Sequence, residues 1–340
     1  MIDLTDLSQL VPEWEELFRT RYALLSEIVR SPGMGRRQLA KRLEQTERRI
    51  RNEIEILTNL GLVQSSARGL NITGLGNQVM YRLDSIYAVQ SQWQDKEIEL
   101  AECLGIKRVR IAKDVEEMAA LAMKQLSGLL DQVTTLGITG GSSVKRLVDR
   151  VTTSHREQLT IVPARGSLGQ ETAVQANTLA EELARKLSAK FYPLIAIDHL
   201  AHDTREQMLR EPLIRRTLEK VEQIDGLVFG IGRADQMMQR RDLSDALCQE
   251  LNAKQVVGEA LGTFFNMQGE RIYELETFGV RLEQLQSLDY LMAIAYGKDK
   301  AQAVVSVSHI NPNIILVTDQ ACAEEMLTLL GGRNNGKSSN

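Results

Sequence analysis

The stretch that decides the fold is RRQLAKRLEQTERRIRNEIEILTNL, residues 36–60, which continues as GLVQSSARGLNIT to residue 73. Its first eight residues form a short amphipathic helix, and a turn at Glu44-Gln45 follows. Thr46 then stands in an N-cap position, because its hydroxyl can accept a hydrogen bond from a free amide in the first turn of a second helix. Gly61 ends this second helix with the residue best suited to a left-handed conformation. The pattern predicts two helices separated by a tight turn.

The second helix has one apolar face and several polar ones. Ile50, Ile54 and Leu57 recur at helical spacing, which puts them on one buried stripe. The other faces carry guanidinium and amide groups, which a helix in the major groove needs in order to reach phosphates and base edges. Together with the N-cap and two arginines of the first helix, the predicted DNA-contacting residues are Arg36, Arg37, Thr46, Arg48, Arg49, Arg51 and Asn52.

Two short strands are predicted directly after the second helix. The segments 62–65 and 70–73, joined through Arg68-Gly69, have the pattern of the two strands of a wing. Residues 12–30 form a further helical apolar pattern, closed by Ser31-Pro32-Gly33, and are expected to cover the back of the helix pair. These segments together predict a winged helix-turn-helix.

Charge distinguishes this interpretation from a small helical subdomain whose arginines are merely solvated. The segment 30–51 holds eight basic and two acidic residues, a local net charge of +6, whereas the whole chain has a formal net charge of −4. A basic island in an acidic chain is the electrostatic footprint of a nucleic-acid site. We therefore expect this segment to bind double-stranded DNA.

The composition favours a soluble, cytoplasmic protein of about two domains. The chain has 340 residues, more than a winged helix needs, and its core is expected to be aliphatic because only 4% of the residues are aromatic. Cys103, Cys248 and Cys322 are far apart and form no CxxC pair, which argues for reduced thiols and against a disulfide framework or a zinc site. The acidic start lacks the features of a signal peptide, and no apolar run approaches the roughly 20 residues of a membrane span.

Four segments are predicted along the chain. Residues 1–76 form the winged helix-turn-helix DNA-binding domain, 77–104 a helical linker, 105–331 an α/β domain and 332–340 a flexible tail. The linker is either a plain connecting helix or a helix of a dimer interface, and the sequence does not separate these two alternatives.

Beyond residue 105, short apolar runs rich in Val and Ile alternate with helical segments. Continuous apolar strands that alternate with helices indicate a parallel sheet covered on both faces. In such sheets ligands bind at the carboxyl ends of the strands, where loops meet helix N-termini. The predicted strands are 133–138, 159–162, 194–197, 226–231, 290–295 and 314–317.

Two turns after predicted strands are candidates for binding phosphate. The turn 139–143, Thr-Gly-Gly-Ser-Ser, opens a helix, so its backbone can approach an anion closely and its hydroxyls and free amides can bind the anion's oxygens. After the next strand, Arg165 and Gly166 place a guanidinium where it can donate two hydrogen bonds to phosphate. The alternative is a pair of ordinary turns with one surface arginine.

Three further motifs carry less weight. Residues 331–338 fit the P-loop pattern letter for letter, but a helix precedes the match and only two residues follow it, so no nucleotide is expected there. The segment 230–232 begins like a dinucleotide fingerprint but lacks its third glycine. His199 and His202 have a spacing that suits a metal, although polar loop residues explain them more simply. We therefore expect no metal, no cofactor and no catalytic triad.

Several stretches in combination resemble the SorC/DeoR family of sugar-responsive transcription repressors, and the resemblance covers nearly the whole chain. It implies a Rossmann-like effector domain related to sugar-phosphate isomerases and glucosamine-phosphate deaminases. It also implies a repressor of glycolytic genes, whose effector fructose 1,6-bisphosphate loosens operator binding, and a tetramer on DNA. The stretches that carry it are 137–143, 163–168 with 175–178, 230–241, 258–266 and 315–319.

The same resemblance implies which residues bind the effector. The turn 140–143 would hold one phosphate, with Arg165 nearby, and this chain has Ser142-Ser143 where threonines are expected. Glu259, Lys300 and one of two neighbouring arginines would bind the other phosphate and the sugar hydroxyls. The full predicted set is Thr139, Gly140, Gly141, Ser142, Ser143, Arg165, Gly166, Arg240, Arg241, Glu259 and Lys300.

Two functions from different classes remain open on the sequence. One is a repressor that only senses a sugar phosphate and acts as a homo-oligomer, from dimer to tetramer. The other is a sugar-phosphate isomerase or deaminase fused to a DNA-binding head. Proton transfer on a sugar needs a carboxylate or histidine over the substrate carbon with a pKa near neutrality. Glu259 is the one acid that the sequence places in the pocket, and it can equally bind hydroxyls, so the sensor is favoured over the enzyme.

Overall fold

The computed structural model describes residues 11, 13–66, 69–167, 171–197 and 202–334. The chain divides into two compact units between Gln94 and Asp95, inside the predicted linker. Three features named above lie outside the described residues: Arg68 of the wing turn, His199 of the histidine pair, and residues 335–340, which include the second half of the P-loop-like match.

The N-terminal unit is the predicted winged helix-turn-helix. Its core is built by apolar side chains from all its elements, among them Leu24, Leu39, Ile50, Leu57 and Leu70. The elements are α1 (Trp14–Arg30), α2 (Arg36–Arg42), α3 (Glu47–Asn59), β1 (Val63–Ser66) and β2 (Gly69–Ile72).

The local signals of this unit act as the sequence predicts. Thr46 is the N-cap of α3, and its hydroxyl accepts from the Arg49 amide at 3.3 Å. Gly61 follows α3 with φ +71°. The strands β1 and β2 pair antiparallel, and β2 also bridges Met34 through Leu70, which attaches the wing to the segment between α1 and α2.

One helix, α4 (Gly74–Leu104), runs for 31 residues across the boundary between the units. The predicted helical linker 77–104 lies within it. In the C-terminal unit, Leu100 and Leu104 are buried, whereas Ile98 is 59% exposed.

The C-terminal unit is built on a seven-stranded, all-parallel sheet with the strand order β3-β13-β12-β7-β4-β5-β6. A second sheet of four antiparallel strands has the order β11-β10-β9-β8. In chain order the strands are β3 (Arg108–Ala112), β4 (Thr135–Ile138), β5 (Thr160–Pro163), β6 (Lys190–Phe191), β7 (Gly226–Gly230), β8 (Gly232–Arg233), β9 (Val256–Ala260), β10 (Thr263–Asn266), β11 (Arg271–Glu274), β12 (Tyr290–Ile294) and β13 (Ile314–Asp319).

Helices flank the parallel sheet, and side chains such as Leu126, Leu147, Ile161, Leu183 and Val228 form its main core. The helices of the whole C-terminal unit are α5 (Val115–Leu130), α6 (Ser142–Arg150), α7 (Ala176–Leu187), α8 (His202–Arg210), α9 (Pro212–Glu222), α10 (Ala234–Arg240), α11 (Asp245–Ala253), α12 (Leu282–Gln286), α13 (Ala301–Ser308) and α14 (Gln320–Asn334), with short 3-10 helices at Thr172–Val174 and Lys298–Lys300.

Five of the six predicted strands exist, and the predicted strand 194–197 is wrong. The sheet ends instead with β6, and the chain then leaves it. Pro193 has no amide hydrogen to donate to a neighbouring strand. The backbone of Leu194 is held by the Asn177 side chain, which accepts from its amide at 2.9 Å and donates to its carbonyl at 2.8 Å.

The antiparallel sheet is inserted between β7 and β12, and the sequence interpretation did not anticipate it. Together with α10 and α11 it forms its own small core, which includes Met238, Leu251, Phe264 and Leu275. At the end of the chain α14 continues to Asn334, so the first residues of the predicted tail 332–340 are helical. No helix among the described residues is long and apolar enough to span a membrane.

Candidate functional site

A cavity of about 350 Å³ opens at the carboxyl ends of β5, β4, β7 and β12, which are four adjacent strands of the parallel sheet. It lies at the topological switch point, because the chain leaves β4 toward β5 on one side and returns to β7 on the other. All eleven residues of the predicted effector-binding set line this one cavity. They are Thr139, Gly140, Gly141, Ser142, Ser143, Arg165, Gly166, Arg240, Arg241, Glu259 and Lys300.

The turn after β4 is fixed to its neighbours by backbone contacts. The Thr139 amide donates to the Val228 carbonyl at 3.0 Å, and the Thr139 hydroxyl accepts from the Gly230 amide at 3.1 Å. Gly140 packs so closely against the Val174 carbonyl that a Cβ there would overlap it. Gly141 has φ +115°, and its amide donates to the same carbonyl at 2.8 Å. These contacts fix the entry of α6 at the cavity wall.

The first turn of α6 presents hydrogen-bond donors to the cavity. The amides at a helix N-terminus have no acceptor within the helix, and the helix dipole favours an anion there. Ser143 adds a hydroxyl that is buried and has no hydrogen-bond partner among the described residues. This start of α6 is therefore suited to bind phosphate oxygens.

A buried charge cluster forms another part of the wall. One carboxylate oxygen of Glu259, on β9, accepts from Arg241 at 2.6 Å, from Arg165 at 3.4 Å and from the Gly262 amide at 2.5 Å. All three charged side chains are less than a tenth exposed. Because two guanidiniums share one carboxylate, the formal charge of the cluster is positive.

The neighbours Arg240 and Arg241 occupy different environments. The Arg241 side chain is 2% exposed and is bound to Glu259. The Arg240 side chain is 45% exposed, and the carboxylate of Glu171 lies 4.0 Å from its guanidinium. Arg240 is therefore the member of the pair that can turn to a ligand without breaking a buried ion pair.

Lys300 lies at the far end of the 3-10 turn after β12. Its ammonium donates to the Ile231 carbonyl at 2.9 Å. Burial lowers the pKa of Lys300 below its usual value, and the charge of Arg240 acts in the same direction, against Tyr296 and Asp299. A second positive group thus faces the cavity beside Arg240, and an anionic ligand would compensate both charges.

Sequence reasoning missed several lining residues, among them Tyr296, Gly297 and Asp299. They come directly after the predicted strand 290–295, so the rule that ligands bind at carboxyl ends of strands could have found them. The carboxylate of Asp299 is bound by Arg233 at 2.8 Å. Within the described residues, no group of His, Cys, Asp and Glu side chains is arranged to hold a metal ion.

On the N-terminal unit, the predicted DNA-contacting residues divide into two groups. Five of them are exposed on α2 and α3: Arg36, Arg37, Arg48, Arg51 and Asn52. The other two make contacts within the unit. Thr46 caps α3, and Arg49 is bound to Glu16 of α1 at 2.6 Å and to Thr20 at 3.3 Å.

Comparison with known proteins follows the division of the chain. Residues 90–328 match the family model described as "Putative sugar-binding domain". The chain belongs to this sugar-binding family. Residues 17–87 match the model described as "CggR N-terminal DNA binding domain".

Two named relatives are similar to this chain over nearly their full length. The "Central glycolytic genes regulator" of Priestia megaterium is 27% identical over 329 residues, which cover 94% of this chain and 96% of that protein. The regulator of the same name from Bacillus subtilis is also 27% identical, with the same coverage. The chain is a transcriptional regulator of this type, with a DNA-binding domain and a sugar-binding domain.

Solved structures support the same fold. A SorC family transcriptional regulator from Enterococcus faecalis is 29% identical, with a TM-score of 0.64. The matched region covers 68% of this chain and 99% of the Enterococcus chain. The full-length sorbitol operon regulator SorC from Klebsiella pneumoniae has a TM-score of 0.63 at 19% identity. The matched region covers 90% of this chain and 96% of the Klebsiella chain. The second similarity concerns the fold alone.

Proposed function

We propose that this protein is a repressor of glycolytic genes whose affinity for its operator is modulated by a phosphorylated sugar, with fructose 1,6-bisphosphate as the first candidate. The observation that carries the proposal is the cavity at the switch point. It combines the N-terminus of α6 with Arg240, Lys300 and the cluster around Glu259. The names of the two glycolytic regulators point to the same class of target gene.

The wall of the cavity favours a ligand with two phosphates. One set of donors is the turn 140–143, whose Ser143 hydroxyl has no protein partner among the described residues. The other set is Arg240 and Lys300, which are close enough for the charge of Arg240 to lower the pKa of Lys300. Charge-assisted hydrogen bonds to phosphate contribute about 1.5–3 kcal/mol each. Removal of one phosphate should therefore weaken binding about tenfold or more.

Calorimetry on the full chain tests this proposal. Fructose 1,6-bisphosphate is expected to bind at least about tenfold more tightly than fructose 6-phosphate. Arg240→Ala should reduce this preference, because it removes a donor of the second set while leaving the turn 140–143 intact. Equal affinity for the two sugars would overturn the assignment of a bisphosphate effector.

An isomerase or deaminase is the competing function, and the surroundings of Glu259 disfavour it. A general base must be able to accept a proton from the substrate. The Glu259 oxygen that faces Arg165 and Arg241 already accepts three hydrogen bonds. We expect no turnover with fructose 6-phosphate, glucosamine 6-phosphate or ribose 5-phosphate. Conversion of any of these sugars would favour the enzymatic function over the sensor.

The exposed basic side chains of α2 and α3 support operator binding by the N-terminal unit. Deletion of residues 1–76 should abolish binding to double-stranded DNA. In the intact protein, log K should fall with log salt by about 0.9 per phosphate contact. A winged helix reads one half-site, so we propose that the protein binds as a homo-oligomer, from dimer to tetramer. Operator binding that survives the deletion would contradict this assignment.

A further inference from the structure

The turn after β12, which carries Lys300 into the cavity, is fastened to the segment just before α10. The Lys300 ammonium donates to the Ile231 carbonyl at 2.9 Å. The carboxylate of the preceding residue, Asp299, accepts from the Arg233 guanidinium at 2.8 Å. Arg233 directly precedes α10, and Arg240 is the last residue of that helix. The hydrogen bond between Arg233 and Asp299 therefore joins the two segments that supply the second set of phosphate donors.

Arg233 also binds a second carboxylate, that of Asp235. Its Nε donates to one oxygen of Asp235 at 3.0 Å and its Nη2 donates to the other at 2.6 Å, whereas Nη1 donates to Asp299. Two parallel hydrogen bonds to one carboxylate fix the orientation of a guanidinium. One guanidinium between two carboxylates gives this cluster a formal charge of −1, and loss of Arg233 would change it to −2.

Asp299 lies between two hollows, and Arg233 lies in only one of them. Asp299 lines the cavity at the switch point together with Lys300 and Arg240. It also lines a second hollow of about 570 Å³, together with Arg233 and Asp235, which do not line the first. Arg233 therefore binds the Asp299 carboxylate from outside the cavity in which the ligand is expected.

An unpaired carboxylate at this place would oppose the binding of a phosphate in two ways. Its charge would repel the phosphate, and it would attract the ammonium of Lys300, the neighbouring residue. Both Arg233 and Asp299 are partly exposed, at 31% and 55% of their side chains, so water screens part of this interaction. Loss of Arg233 should therefore weaken phosphate binding without abolishing it.

We propose that Arg233 is a positioning residue of the effector site, which holds and neutralises Asp299 so that Lys300 and Arg240 remain available to the second phosphate of the ligand. The inference rests on the proposed function, because it assumes a phosphorylated sugar in this cavity. It assigns a role to a residue that lies outside both the predicted effector-binding set and the cavity wall.

The experiment compares fructose 1,6-bisphosphate with fructose 6-phosphate by calorimetry on the full chain and on Arg233→Ala. Its readout is the ratio of the two dissociation constants, which a smaller fraction of folded protein would leave unchanged. Arg233→Ala is expected to weaken the bisphosphate about three- to tenfold. The affinity for fructose 6-phosphate should change less, because the turn 140–143 keeps its donors for a single phosphate. The preference for the bisphosphate should therefore fall.

Arg271→Ala is the matched control. Arg271, on β11, is also bound by two carboxylates, that of Glu274 at 2.7 Å and that of Glu283 at 3.2 Å, and its side chain is 47% exposed. It lines neither of the two hollows. This substitution removes the same charge from a cluster of the same composition, so both affinities should stay at their wild-type values.

Two further backgrounds separate the two carboxylates that Arg233 binds. In an Asp299→Asn background, the loss caused by Arg233→Ala should largely disappear, because the carboxylate that the substitution leaves unpaired is absent. In an Asp235→Asn background the loss should persist, because Asp235 does not line the cavity. Each double variant is compared with its own single variant.

The results for the wild-type protein and for the variants decide separate points. An unchanged preference in Arg233→Ala would overturn the role of Arg233 and leave the proposed effector standing. The role would also be overturned by an equal loss in Arg271→Ala, by a loss of the same size in the Asp299→Asn background, or by a loss that Asp235→Asn removes. If the wild-type protein itself binds no sugar bisphosphate, the proposed effector falls first and the inference falls with it.

Discussion

The three arginines of the cavity wall differ in whether they form an ion pair with Glu259. Arg165 and Arg241 share its carboxylate and are nearly fully buried, whereas the side chain of Arg240 is half exposed. Loss of Arg241 would leave the buried Glu259 carboxylate with one longer ion pair, to Arg165 at 3.4 Å, and an unfilled space in the cavity wall, which is costly. A surface arginine with a carboxylate 4.0 Å away carries no such penalty.

Alanine variants of the two neighbours should therefore fail in different ways. Arg241→Ala should destabilise the protein by about 3 kcal/mol, a loss of roughly 6–12 °C in Tm for a unit of this size. Arg240→Ala should leave Tm unchanged and weaken fructose 1,6-bisphosphate about tenfold. Thermal unfolding and calorimetry on both variants check this, and a reversal of the two phenotypes would show that Arg241 is the ligand contact.

At the scale of elements, the turn between β4 and α6 depends on a glycine that lacks room for a side chain. A Cβ at Gly140 would overlap the Val174 carbonyl, which also accepts from the Gly141 amide. Gly140→Ala should displace the helix start, lower Tm and weaken sugar-phosphate binding. Gly128→Ala on α5 is the control, because a Cβ there meets nothing within 4 Å. Alanine in a helix should stabilise that variant by about 0.5–1 kcal/mol.

The second prediction at the scale of elements concerns the contact between α1 and α3. Arg48 is exposed, whereas Arg49 is bound to Glu16 and Thr20. Arg48→Ala should weaken operator binding and reduce the salt slope by about 0.9. Arg49→Ala should keep the slope and cost the N-terminal unit about 0.5 kcal/mol, as should Glu16→Ala. A reduced salt slope in Arg49→Ala would return this arginine to the DNA-contacting group.

Elements with a local signal could be predicted from the sequence, and elements held by distant partners could not. Thr46 and Gly61 mark the ends of α3 by their own chemistry, and β4 and β7 are continuous apolar runs. In β3, arginines at 108 and 110 interrupt the apolar pattern, because it is an edge strand. The backbone of Leu194 is held by Asn177, 17 residues away, which no local pattern shows.

The same distinction applies to the cavity. The turn 139–143 and Arg165 directly follow strands. The rule that ligands bind at the carboxyl ends of parallel strands could therefore place them at the cavity. Glu259 and the arginines 240 and 241 came from family resemblance, because the antiparallel sheet that carries Glu259 was not predicted. Which of Arg240 and Arg241 is free to contact a ligand depends on how deeply each side chain is buried, and only the folded structure reveals this.

For the whole molecule, the prediction concerns coupling between the two ligands. An effector that lowers operator affinity must itself bind less tightly to the operator complex, by the same factor, typically about 1–3 kcal/mol. Gel-shift titrations of the full chain with and without fructose 1,6-bisphosphate measure this. Arg165→Ala should keep operator binding near normal and lose the response to the sugar. A variant that responds like the parent, or a complex that ignores the sugar, would contradict the regulatory proposal.

The order of strands in the parallel sheet has a consequence for how the protein folds during its synthesis. The first strand of the sheet, β3, pairs with the last one, β13, more than 200 residues later in the chain. Pairings between distant segments form slowly, and chains of this size fold through intermediates. On the ribosome, β3 stays without its partner strand, and with its hydrogen-bonding groups unpaired, until more than 200 further residues have been added. A stop codon near residue 310 would therefore cost the sheet its first strand as well as its last, and the released fragment would be a substrate for chaperones and proteases.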